Sequence, residues 1–84
     1  MYEIVTRNGI KGHLHKNGGG FVAETAQVDD TAYIGPNARV YGTAQVSGNA
    51  QVSGNARVYG NARVYDTAQV YGTAWVYGNA RVYG

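Results

Sequence analysis

The chain has no cysteine, so it can build neither a disulfide framework nor a thiolate metal site. It has no apolar run long enough to span a membrane and no signal-peptide pattern, which makes a soluble cytoplasmic protein the expectation. Histidine occurs only at His13 and His15, both ahead of the main pattern of the chain. Acidic residues are scarce as well: from Asn37 to the last residue there are four Arg and a single acid, Asp66. The net charge of +2 over 84 residues is too mild to point to a general DNA or RNA binder. No nucleophile constellation is recognisable, and no glycine-rich phosphate loop. A chain of this length forms one domain.

What the sequence does have is a short period. From Asn37 to Gly84 it reads NARVYG TAQVSG NAQVSG NARVYG NARVYD TAQVYG TAWVYG NARVYG, eight six-residue units without insertion. The pattern extends backwards through TAYIGP and TAQVDD, with Phe21, Val22 and Glu24 in phase for one partial unit more. A fixed period of this kind marks a stacked repeat architecture. Read as a strand, each unit points Ala and Val to one side and the residue between them to the other. The following Gly permits positive φ and a tight corner. A six-residue period with β-branched Val and frequent Gly does not give the 3.6-residue spacing of a helix. Three strand-and-corner units close a triangular coil of eighteen residues.

Residues 1–20 are different in kind. Tyr2 to Thr6 is strand-like, Asn8-Gly9 is a two-residue hairpin turn, and Ile10 to Lys16 returns as a second strand. Ile10, Gly12 and Leu14 share one face of that strand; Lys11, His13 and His15 share the other, read as solvated. Asn17-Gly18-Gly19-Gly20 reads as a flexible joint into the repeats at 21–84. The hairpin is expected to cap the first coil, because an open solenoid end exposes unpaired strand edges.

The in-phase units from Ala23 to Gly84 resemble the hexapeptide-repeat, left-handed parallel β-helix family, best known from acyltransferases. The resemblance implies an all-β, left-handed solenoid of about three and a half triangular coils, and a trimer with its axis near the helix axes. A thin core and many outward Tyr side chains also favour a homo-oligomer. The family's enzymes use a His base at the coil edge, together with loop excursions that help form an acyl-CoA pocket. The repeats here contain neither. His13 or His15 could reach a neighbouring subunit's site only from the hairpin, and His13-x-His15 offers two metal ligands with no obvious third. No catalytic residue, metal site or cofactor is therefore assigned. Another departure is that the slot after Val, often small or acidic in the family, is mostly Tyr.

The eighteen-residue coil places residue i under i+18 and generates three outward ladders. The first is Arg39, Arg57, Trp75, with Tyr41, Tyr59, Tyr77 at its corner. The second is Gln27, Gln45, Arg63, Arg81, with Asp29, Ser47, Tyr65, Tyr83. The third is Tyr33, Gln51, Gln69, with Gly35, Ser53, Tyr71. Threonine forms no continuous ladder, which argues against ice binding. Stacked Arg repel, so splaying, Tyr rings, a partner carboxylate or an anionic ligand must offset the charge. Plain cover of a β surface or of a subunit contact is the competing explanation. Three functions are open. One is a non-enzymatic oligomeric protein holding a small anionic ligand, such as a nucleotide, in intersubunit grooves. The others are an acyltransferase or its relic, and a structural or polymerising module. For the first, Arg39 and Arg57 are expected on the anion and Tyr41, Tyr59, Trp75 and Tyr77 around the ring, with Arg63 and Arg81 as the rival pair. Compact, loop-free chains of this sort resemble phage or prophage products, for which sequestering a nucleotide signal is a plausible task.

Overall fold

A computed structural model describes the backbone of residues 5–7 and 9–84. The strand expected over 2–6 lies partly outside these residues. The described elements are all strands: β1 Val5–Arg7, β2 Ile10–Leu14, β3 Phe21–Ala23, β4 Gln27–Val28, β5 Tyr33–Ile34, β6 Arg39–Val40 and β7 Gln45–Val46. They continue as β8 Gln51–Val52, β9 Arg57–Val58, β10 Arg63–Tyr65, β11 Gln69–Val70, β12 Trp75–Val76 and β13 Arg81–Tyr83. Among the described residues there is no helix, and hence none long and apolar enough to cross a membrane.

From β3 onward the strands wind as a solenoid of three complete turns and two strands of a fourth, with three parallel sheets as its walls. Every parallel pairing has the expected register. Arg39 pairs with Arg57 and Arg57 with Trp75; Gln27, Gln45, Arg63 and Arg81 follow one another; Tyr33, Gln51 and Gln69 do the same. The reason is the Ala-x-Val phase. A slip of one residue would turn every apolar side chain outward. Ala44, Ala50, Ala56 and Ala62 are fully buried, as are Val40, Val52, Val58 and Val64, and they fill a narrow continuous core.

The corners hold by two means. Backbone bonds run from one turn to the next, as in Thr43 N–H to Gly60 O at 3.0 Å and Asn61 N–H to Gly78 O at 2.8 Å. Thr25, Thr31 and Thr43 add hydroxyl bonds to the carbonyls of Gly42, Gly48 and Gly60. From Gly42 on, the chain enters the corners at positive φ: six corner glycines from Gly42 to Gly78 lie between 64° and 70°. Asp66 takes the same conformation at φ 61°, the one non-glycine to do so among the described residues.

At the N-terminal side, β1 and β2 pair antiparallel in the register of a two-residue turn, and β2 pairs antiparallel with β3. Two expectations fail here. The glycine run is not a loose joint. Gly20 N–H bonds Ile34 O at 2.9 Å, and Ile34 N–H bonds Asn17 O at 3.0 Å, so the run occupies the place one turn below β5. A Cβ on Gly18 would sit 2.2 Å from the Ile34 carbonyl oxygen, so only glycine allows this approach. Nor is the histidine face wholly solvated: Lys11 is exposed, but His13 is half-buried and His15 is buried. His15 is 4% exposed, and its Nε2–H donates to Ala32 O at 2.9 Å. Ile10 and Leu14, on the supposed apolar face, are 40% and 42% exposed. The chain folds back at His15, whose N–H bonds Gly20 O at 2.7 Å, and this swings the ring over the first turn.

Candidate functional site

On the first face, β6, β9 and β12 bring Arg39, Arg57 and Trp75 into line. The Arg57 guanidinium carbon lies 5.6 Å from the Trp75 ring centroid, within the range of a cation–π contact. At the corner that follows, Tyr41 and Tyr59 stack at 4.9 Å with planes 3° apart, and Tyr59 and Tyr77 at 5.5 Å with planes 13° apart. The Tyr ladder does not line the hollow beside Arg39 and Arg57. The hollow beside these Arg is small, about 190 Å³, and is lined by Pro36, Asn37, Ala38, Asn55 and the two Arg. It opens on the Asn side of the strands. Arg57 and Trp75 are brought together; Tyr41, Tyr59 and Tyr77 stand apart from that hollow.

The rival ladder has the larger groove. Arg63 on β10 and Arg81 on β13 occupy successive rungs, with Gln45 of β7 on the rung before them. Tyr65 and Tyr83 stack beside them at 5.0 Å with planes 13° apart. A groove of about 360 Å³ runs across this wall onto the corner, lined by Gln45, Ser47, Arg63, Tyr65, Asp66 and Arg81. Adjacent rungs lie about 4.8 Å apart. Two like charges at such a distance repel by roughly 1 kcal/mol in water and by more where water is displaced. Among the described residues the only ion pair is Lys16–Asp30, at 3.2 Å, so neither guanidinium has a carboxylate partner. The groove offers donors from two guanidinium groups, a ring from Tyr65 and an acceptor from Asp66.

Sequence reasoning singled out Arg63, Arg81 and their Tyr ladder but left Gln45, Ser47 and Asp66 aside as site residues. Asp66 had a visible signal: it is the lone departure from Gly among the eight corners from Gly42 on, and the lone acid of the late repeats. The third wall carries a hollow of about 430 Å³ lined by Asn17, Thr31, Tyr33, Asn49 and Gln51, without any charged group. On the hairpin, burial and then the neighbouring His15 hold the His13 imidazole below the ordinary histidine range. Among the described residues no three metal-ligating side chains cluster.

Residues 50–66 and 56–72 each match the YdcK Beta solenoid repeat. The two windows begin one six-residue unit apart and together cover less than a third of the chain. No curated protein and no solved structure matches it. The matched windows run through β8 to β11, in the middle of the uninterrupted stack. With its parallel strands in eighteen-residue register and this match in phase with the period, the chain is a β-solenoid of the hexapeptide-repeat-like kind.

Proposed function

We propose that this chain is a non-enzymatic binding protein for a small anionic ligand of the nucleotide type. The observation that carries the reading is the groove at Arg63 and Arg81. Two guanidinium groups without a carboxylate partner share one hollow with Tyr65. Guanidinium groups suit phosphate oxygens by geometry as well as charge, and a stacked Tyr suits a planar base. The absence of His from the repeats speaks for binding rather than acyl transfer. The hollow at Arg39 and Arg57 is half the size and has no aromatic wall, which makes it the weaker of the two candidates.

The same proposal includes a homo-oligomer, with a trimer favoured, a left-handed coil, a capping role for the N-terminal hairpin and a cytoplasmic setting of the phage type. Large exposed aromatics support the oligomer: Tyr71, Trp75, Tyr77 and Tyr83 are 57–68% exposed. The test is calorimetric titration with mono-, di- and cyclic nucleotides on wild type and on Arg39→Ala, Arg57→Ala, Arg63→Ala and Arg81→Ala. A charge-assisted contact is worth about 1.5–3 kcal/mol, so Arg63→Ala and Arg81→Ala should each weaken binding by roughly tenfold or more. Circular dichroism should be unchanged, because both side chains are exposed. If nothing binds, or if binding survives all four changes, the Arg ladders are surface cover.

A further inference from the structure

Asp66 is unusual in two independent ways. It stands at a left-handed corner where every other unit from Gly42 on has Gly, and it lines the groove that holds Arg63, Arg81 and Tyr65. A non-glycine residue at φ 61° is a strained choice that the repeat itself does not require, and strain retained beside a groove points toward use. Its effect is to project a carboxylate from a corner that in the other units from Gly42 on carries no side chain. Among the described residues that carboxylate enters no ion pair, although two guanidinium groups line the same groove.

An ionised carboxylate only accepts hydrogen bonds. A ligand that uses the whole groove therefore combines three things: an anion for the Arg, a flat ring for Tyr65, and a donor for Asp66. A carboxylate–amine zwitterion would satisfy the charged groups but leave the ring unused. Among the common bases, guanine alone presents two adjacent N–H donors, N1–H and the N2 amine, which match the two oxygens of one carboxylate. Adenine and cytosine place an acceptor beside their amine, and uracil flanks its single N–H with carbonyls. We propose that the groove selects guanine nucleotides, with Asp66 reading the N1 and N2 edge while Arg63 and Arg81 hold the phosphate. This rests on the nucleotide-binding reading above and adds the identity of the base.

The experiment is calorimetric titration of the intact chain with guanosine, adenosine and inosine monophosphates, and with ribose phosphate. Wild type and Asp66→Asn are compared. Asn also tolerates the left-handed corner, so the variant keeps the fold. The expected result is guanosine monophosphate at least roughly tenfold tighter than adenosine monophosphate, with the inosine form between them because it lacks the N2 amine. Asp66→Asn should abolish that preference, with guanosine monophosphate losing at least roughly tenfold relative to adenosine monophosphate. Equal affinity for the three nucleotides in wild type, or a preference that persists in Asp66→Asn, overturns base selection while Arg-dependent anion binding stands. Failure of every nucleotide to bind overturns both.

Discussion

At the scale of the residue, Asp66 sets stability against binding. Its backbone conformation is one that side chains oppose, at a cost of roughly 1–2 kcal/mol that Asp partly evades through its short polar chain. Glycine removes the penalty but gains conformational freedom in the unfolded chain. The first effect should win at a corner that the rest of the repeat fills with Gly. Asp66→Gly should therefore raise unfolding stability by about 1 kcal/mol, and Asp66→Ala should lower it, since Ala has neither glycine's freedom nor a polar tip. Urea denaturation of the three proteins checks the order. If Asp66→Gly is the less stable protein, the carboxylate supports the fold itself and its retention needs no ligand.

At the scale of the element, legibility in the sequence differed sharply between repeat and hairpin. The walls could be read because a strand of the Ala-x-Val type has one burial solution, and the period then dictates which residues stack. Gln45 under Arg63 and Arg57 under Trp75 follow from that alone. The period does not say where along a wall a groove opens, and the hollow at Arg39 and Arg57 is lined from the side of Asn37 and Asn55 rather than by Tyr41 and Tyr59. In β2 the alternation of Ile10, Gly12 and Leu14 was legible but its polarity was not, because the strand's docking partner decides which face is covered. Gly12 lies so close to β3 that a Cβ there would meet the Val22 carbonyl oxygen at 2.2 Å, so the Ile10 and Leu14 side is covered only at its centre, while His13 is half-buried and His15 buried on the other side. This has a consequence for pH. His13 is held below its ordinary value of 6.5 by burial and then by His15, so the folded state binds its proton more weakly than the unfolded state does. Its contribution to stability is complete above about pH 6.5 and is lost as pH falls through the lowered folded value. Melting temperature should drop between about pH 7.5 and pH 5.5, above the range where carboxylates titrate, and His13→Gln should flatten the slope. A wild-type melting point constant across that window would contradict the burial of the hairpin face.

At the scale of the whole molecule, the distribution of aromatics constrains how copies could assemble. Tyr71, Tyr77 and Tyr83 lie on three different corners of the last turn, so a side-by-side association cannot cover all of them. The Tyr41–Tyr59–Tyr77 stack is another matter. It runs along one edge across three successive turns, and it presents a stiff strip already ordered by its own stacking. Tyr41 and Tyr59 keep only part of their surface exposed and Tyr77 is 57% exposed, so covering the strip removes what remains from water at little entropic cost. The shorter Tyr65–Tyr83 stack borders the Arg groove and would obstruct ligand entry if it were buried. The proposed trimer should therefore close on the Tyr41–Tyr59–Tyr77 edge and leave the Arg63 groove open. Sedimentation equilibrium at micromolar concentration should then give three times the 9.0 kDa chain mass for wild type. Tyr59→Ser removes the middle ring and should shift the population toward the single chain, while Tyr71→Ser should not. Nucleotide affinity should persist in the dissociated Tyr59→Ser protein, because the groove is built from one chain. A wild type that sediments as a monomer removes the trimer. Binding that disappears together with the trimer would place the ligand between subunits instead.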